Sequence, residues 1–115
     1  MIKSENRLRK NKHFKYIYHR GETNSLGYIA MSYISTKFDV MKVGFSVSKK
    51  IGKSVVRNKV KRRLRECFCA LKKNINPHYN YIFGAKVGIE NLSFEQMKNN
   101  MMELLKKNGL YVESN

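Results

Sequence analysis

The run VGFSVSKKIGKSVVRNKVKRRLRE, residues 43–66, contains the change of period on which the fold turns. With Met41 ahead of it, the alternation is clean. Met41, Val43, Phe45 and Val47 point one way, while Lys42, Gly44, Ser46 and Ser48 point the other. A period of two with one apolar side is a half-buried strand, here with a small, polar and basic outer face. Past Ser54 the period lengthens. At about 100° per residue, Val56, Val60, Leu64, Cys67, Phe68 and Leu71 share one arc, predicting an amphipathic helix from Ser54 to Lys73. Lys72 and Lys73 suit its C-terminal end, and Pro77 prevents continuation.

Inside this helix, RNKVKRRLRE (57–66) carries seven charged residues in ten, six of them positive. On the wheel Asn58, Lys61, Arg62 and Arg65 form an arc beside the apolar one. Lys59 and Arg63 lie on the far flank, with Glu66 between. A solvated helix face normally mixes signs at i,i+4 spacing. Here Arg57–Lys61 and Lys61–Arg65 repel, and only Arg62–Glu66 attracts. The arrangement costs stability unless phosphates fill it, so the arc reads as a surface for a polyanion.

The whole chain agrees. It has 24 Lys and Arg against 8 Asp and Glu, a net charge of +16. Self-repulsion of this size opposes a compact state, and a nucleic acid offsets it by exchanging counterions for Lys and Arg. The 115 residues suit one domain, with residues 1–10 as a basic N-terminal arm. At this length roughly 65% of the unfolded chain's surface is buried on folding, enough for one core without staples. No apolar run reaches the length of a membrane span, and MIKSENRLRKNK lacks a signal-peptide core. A cytoplasmic protein is expected, with no membrane partner and no DNA. Cys67 and Cys69 are too few for a disulfide framework or a cysteine zinc site, and read as reduced thiols.

Elsewhere, NKHFKYIYHRG (11–21) places Phe14, Ile17 and Tyr18 on one helical stripe, with Gly21 as a helix-ending residue. GYIAMSYIS (27–35) reads as a strand, and STKFD as a turn into the strand that begins at Met41. The two are expected to pair as an antiparallel hairpin, with room for a further short strand within it. NYIFGAKV (80–87) is a third strand. SFEQ (93–96) is a capping box. Phe94, Met97, Met101, Leu104 and Leu105 carry the apolar stripe of the helix it opens, and Gly109 closes it. The order α-β-β-α-β-α predicts an α+β fold, a small two-layer sandwich of helices on a mostly antiparallel sheet.

The chemistry points to binding rather than to a protein active site. SVSKKIGKS fails the P-loop pattern, because Val47 stands where the first glycine is needed. A strand end, small residues, Lys50, Lys53 and a helix start still suit phosphate contact. Phe14, Tyr16, Tyr18, Tyr28 and Tyr33 supply rings on which bases could stack beside a charged groove. His13, His19 and His78 stand in no telling spacing, and the acidic residues form no metal-binding cluster. No catalytic residue and no metal ligand is assigned to the polypeptide.

The run 43–66 closely resembles the signature of the bacterial ribonuclease P protein subunit: a strand ending in V-S-K-K, a glycine, then a helix carrying R-N-R-x-K-R-x-x-R-E. NRLRKNKHFKYIYHRG, YNYIFGAKVG and FEQMKNNMMELLKK are similar to its first, later and last segments, so the resemblance covers essentially the whole chain. Lys59, Asn80 and Lys86 stand where the family more often has Arg, Asp and Arg. The resemblance implies a left-handed β-α-β crossover, although right-handed crossovers occur in about 98% of cases. It also implies binding to a catalytic RNA that removes the 5′ leader of precursor tRNA, with Mg2+ held mainly by the RNA. By the motif, Arg57, Asn58, Lys59, Lys61, Arg62 and Arg65, with Ser48, Lys49, Lys50 and Lys53, would face the catalytic RNA. A cleft between sheet and first helix would hold the leader, with Phe14, Tyr18, Tyr28, Met31 and Tyr33 as its candidate residues. The competing expectation is a general ribosome-type RNA-binding protein without a processing role. A catalytic protein ribonuclease is a distant third.

Overall fold

The computed structural model describes residues 7–8, 10–38 and 40–113. Most of the expected basic arm lies outside them. Leu8 N–H donates to the Val43 carbonyl at 3.0 Å, and Arg7 bridges Val43 in parallel. The elements in chain order are α1 (Asn11–Arg20), β1 (Glu22–Leu26), β2 (Ile29–Ser35), β3 (Val43–Ser46), α2 (Ser54–Leu71), β4 (Tyr79–Ala85) and α3 (Phe94–Lys107).

The four strands form one sheet in the order β1-β2-β4-β3. β1–β2 and β2–β4 pair antiparallel, and β3–β4 pair parallel. The expected hairpin between β2 and β3 is therefore corrected, because β4 lies between them. The true hairpin joins β2 to β1, the further short strand, through Gly27 at φ 59°. The reason lies in side-chain chemistry. Tyr81, Ile82 and Phe83 are buried on consecutive positions, so β4 is covered on both faces and takes the middle. The polar ETNSL of β1 takes an edge. Parallel neighbours require a crossover, and α2 provides it between β3 and β4.

On one face, Met31 and Tyr33 of β2, Val43 of β3 and Tyr81 and Phe83 of β4 join Val60, Leu64 and Phe68 of α2. Met97, Met101, Leu104 and Leu105 of α3 complete the cluster. Phe45 and Phe83 stack at 6.1 Å, and Phe68 meets Phe83 edge-on at 5.8 Å. The capping box at Ser93 and Gln96 forms as expected. Cys67 is buried here, and burial first, then Glu66, pushes its thiol up to about 12.

α1 packs across the opposite face, over β2 and β4, adding a third layer to the two expected. Ile17 and Ile82 are buried on that side. Two glycines set its height. Gly21 ends the helix as expected, in an extended conformation at φ −87° and ψ −177°. Its requirement is space: a Cβ there would strike the Tyr33 carbonyl and lie 2.7 Å from that of Ile17. Gly44 on β3 seats Phe14, whose ring would lie 2.5 Å from an added Cβ. At the far end of the sheet, Asn100 of α3 clasps the β1–β2 turn. It accepts from Tyr28 N–H at 2.9 Å and donates to the Leu26 carbonyl at 2.8 Å. Among the described residues no helix is long and apolar enough to cross a membrane.

Phe83→Ala is expected to destabilise the fold by about 3–5 kcal/mol. Alanine at Phe38, 79% exposed, should change stability by no more than about 0.5 kcal/mol. Urea unfolding of the two variants checks the pair.

Candidate nucleic-acid interface

Asn58, Lys61, Arg62 and Arg65 line one shallow depression of about 460 Å³ on the outer side of α2, with Lys59 and Val55 at its margin. The predicted arc is thus a continuous surface. The carboxylate of Glu66 stands 3.8 Å from Arg62 Nε with both side chains largely in water, so it neutralises little. Ser48, Lys49, Lys50 and Lys53 are all exposed along a short 3-10 turn, Lys49–Ile51, and the entry to α2. Lys53 is the N-cap, no side chain caps this helix, and no acidic residue stands in its first turn. Its N-terminal N–H groups and partial positive charge therefore add to the lysines beside them.

Two arginines of the run are committed internally. Arg57 donates through Nε to the Gly52 carbonyl at 3.2 Å and through Nη2 to Ser54 Oγ at 3.3 Å, closing the turn before the helix. Arg63, half-buried, donates to the Leu92 carbonyl at 2.9 Å and ties α2 to the entry of α3. The wheel put Arg63 on the far flank but gave no reason for it. The reason is this brace.

The second part of the surface is the sheet face that α1 leaves open. Phe14 is half-buried over Gly44, and Tyr18 is 48% exposed on the same flank of the helix. The partly open strand positions on this face are small: Ala30 and Ser46 both pair with Gly84, while Ser32, Ile82 and Gly44 in the next row are buried. Thr23 and Ser32 share a hydroxyl hydrogen bond of 2.8 Å. The result is a trough floored by small side chains and walled by α1. Through Ser46, the last residue of β3, it continues toward Ser48, Lys49 and Lys50.

Met31 and Tyr33 do not line this trough, which corrects their expected role. Met31 is fully buried and pairs with Phe83, while Tyr33 pairs with Tyr81, so both point into the core. The pleat decides this: they share the parity of Ile29, and the trough takes the other parity. The polar tip of Tyr33 is satisfied internally. Its hydroxyl donates to Glu22 Oε2 at 2.8 Å and lies 3.3 Å from Asn108 Oδ1. Burial first, then Glu22, raises its pKa. Tyr28 is exposed at the β1–β2 turn, with its ring against Gly88. The residues missed from sequence are Ala30 and Ser46. The alternation of large Ile29, Met31 and Tyr33 with small Ala30 and Ser32 is the signal that points to this face.

His13 and His19 lie on α1, and His78 precedes β4. Among the described residues no group of three or more His, Cys, Asp or Glu is placed to hold a metal ion.

A basic helix face continuous with a small-residue trough, on a compact α+β frame, defines a nucleic-acid-binding protein. Residues 2–109 match the family model described as Ribonuclease P. The chain is 43% identical over 107 residues to the ribonuclease P protein component of Caldanaerobacter subterraneus subsp. tengcongensis, covering 93% of this chain and 92% of that one. It is 32% identical to that of Geobacillus kaustophilus, covering 94% and 90%. A solved structure of the Staphylococcus aureus RNase P protein superposes with a TM-score of 0.84 at 31% identity, covering 92% of this chain and 97% of that one. The chain belongs to the ribonuclease P protein family, whose members are protein components of an RNA-containing ribonuclease. These relatives support the processing reading and not the ribosome-type alternative.

Arg62→Ala is expected to reduce the log–log salt slope of RNA binding by about one and leave stability within about 0.5 kcal/mol. Arg63→Ala should do the reverse, lowering stability by about 1–3 kcal/mol with the slope unchanged. RNA titrations between about 50 and 200 mM salt, beside urea unfolding, separate the two. Gly44→Ala should overpack the Phe14 seat and lower stability by about 1–3 kcal/mol, with partial recovery when Phe14→Leu is added. Thermal unfolding of the single and double variants tests this.

Proposed function

We propose that this chain is the protein subunit that binds a catalytic RNA and the 5′ leader of precursor tRNA, assisting endonucleolytic removal of the leader in the cytoplasm. The observation that carries the reading is the continuity of the basic α2 surface with the trough beside α1. One polyanion bound on the helix and a single strand lying in the trough would meet at Ser48, Lys49 and Lys50.

In this reading Asn58, Lys59, Lys61, Arg62 and Arg65, with Lys53 at the helix start, contact phosphates of the catalytic RNA. Arg57 contributes through the part of its guanidinium not committed to Gly52 and Ser54. Phe14 and Tyr18 offer ring faces to leader bases, and the small floor of Ala30, Ser46 and Gly84 lets a backbone approach closely. A chain of net charge +16 between two RNAs screens their repulsion, which raises affinity for the substrate and favours cations bound on the RNA. In this reading magnesium is held by the RNA, and no step is derived through it. The contribution of the protein is positioning and electrostatics.

The protein alone should leave precursor tRNA intact, and adding it to its cognate RNA should lower the magnesium concentration needed for half-maximal cleavage. Substituting His13, His19 and His78 singly should leave cleavage largely intact. Leader removal by the RNA-free protein would sink the proposal. With the RNA present, leader-bearing tRNA should bind more tightly than mature tRNA. Equal binding would remove the role given to the trough.

A further inference from the structure

α1 has a second flank. Around the helix Ile17 faces the sheet, Phe14 and Tyr18 lie to one side of it, and His13, Tyr16 and Arg20 lie to the other. On that other side a groove of about 410 Å³ opens between α1 and the connection from β2 to β3. Ile17 and Ile34 help to line it, and it shares no residue with the depression on α2. Its size is at the lower end of the roughly 300–1,000 Å³ usual for small-ligand pockets, which suits one base rather than a stacked run.

Two aromatic side chains line it while still largely in water: Tyr16 is 57% exposed and Phe38 79%. Cationic and titratable side chains share the same walls, Lys37 and Lys42 from the connection and His13 from the helix. None of its described lining residues is acidic. Asp39 belongs to the same connection but lies outside the described residues. Asn80 adds a polar edge. Its Oδ1 accepts from Lys42 N–H at 2.8 Å, and because a backbone N–H must meet oxygen, the orientation of this amide is fixed. The NH2 end has no hydrogen-bond partner among the described residues.

Rings for a base face, a donor for a base edge and lysines for the flanking phosphates are what an unstacked base of single-stranded RNA requires. An apolar protein segment would match the rings but bury the Lys42 and Asn80 donors without acceptors. We propose that this groove is a second single-strand site. It takes one unstacked RNA base against Tyr16 and Phe38, with its neighbouring phosphates on Lys37 and Lys42. The proposal rests on the RNA-binding reading above but not on the leader assignment, since it uses neither Phe14 nor Tyr18.

The test is backbone-amide NMR of the full chain titrated with pentauridylate, with affinity measured by anisotropy of a labelled copy. Resonances of His13, Tyr16, Ile34 to Phe38 and Lys42 should shift saturably. Tyr16→Ala combined with Phe38→Ala should weaken binding about tenfold, the scale of one lost base stack. Both rings are exposed, so the spectrum of the free variant should stay that of the folded protein. Val87→Ala, at an exposed residue outside the groove, should bind like the parent. Shifts confined to Phe14, Tyr18 and Ser32, or unchanged affinity in the double variant, overturn the second site and leave the leader reading standing. Shifts on neither flank overturn both. Broadening of the groove resonances with protein concentration in the absence of RNA would identify a self-association face instead, which also overturns it.

Discussion

The double-sided burial of β4 is the constraint from which the rest of this molecule follows. Tyr81 and Phe83 face one core and Ile82 the other side, so a helix layer is needed on each face of the sheet. β2 covers one edge of β4, and β3 reaches the other only as a parallel neighbour. The parallel pairing forces a crossover, and α2, packed by Val60, Leu64 and Phe68, is left with its remaining sides in water. The basic arc lies there because the apolar arc is held elsewhere. α1 is too short to cover the second face, and the uncovered remainder is the trough.

The surface is built at a cost in self-repulsion that the fold does not relieve. Arg62 has one distant carboxylate partner, while Lys61 and Arg65 add like charges within a turn of it. Net stability is the small remainder of large opposing terms, so such repulsion is tolerated only where packing is secure. It is secure here. The stacked and edge-on rings of Phe45, Phe68 and Phe83 lie directly beneath the helix. Arg57 and Arg63 show that positive charge in this run is not uniform in purpose. Each donates to a backbone carbonyl, Arg57 within its own turn and Arg63 across to Leu92, and so shapes the surface its neighbours present.

Much of this was legible in the sequence, for identifiable reasons. The apolar arcs of α2 and α3 and the capping box at Ser93 are local patterns, and local patterns survive into the structure. The basic arc followed from the same wheel. Strand pairing was less accessible, because adjacency in sequence favoured a β2–β3 hairpin and only the unbroken apolar run of β4 argued for insertion between them. Met31 and Tyr33 were misplaced by weighing what a tyrosine tip can do before asking which way the pleat turns it. Gly21 is legible as a helix-ending residue, but the reason a glycine is required there is not. Its actual reason, the nearness of the Tyr33 carbonyl, belongs to a contact twelve residues away in sequence. The left-handed crossover is an expectation from family resemblance alone, since local physics favours the opposite hand.

The clasp of Asn100 on the β1–β2 turn has a consequence beyond that corner. It is made of amide groups, as are the links from Asn24 to Asn108 and from Asn80 to the Lys42 backbone. Hydrogen bonds between neutral groups hardly respond to ionic strength, whereas contacts between lysine or arginine and phosphate weaken steeply with it. The joints that hold the protein together and the contacts that would hold RNA to it therefore answer to different variables. A rise in salt can strip the protein from its partner without loosening the protein, so the same rigid body is available for the next encounter.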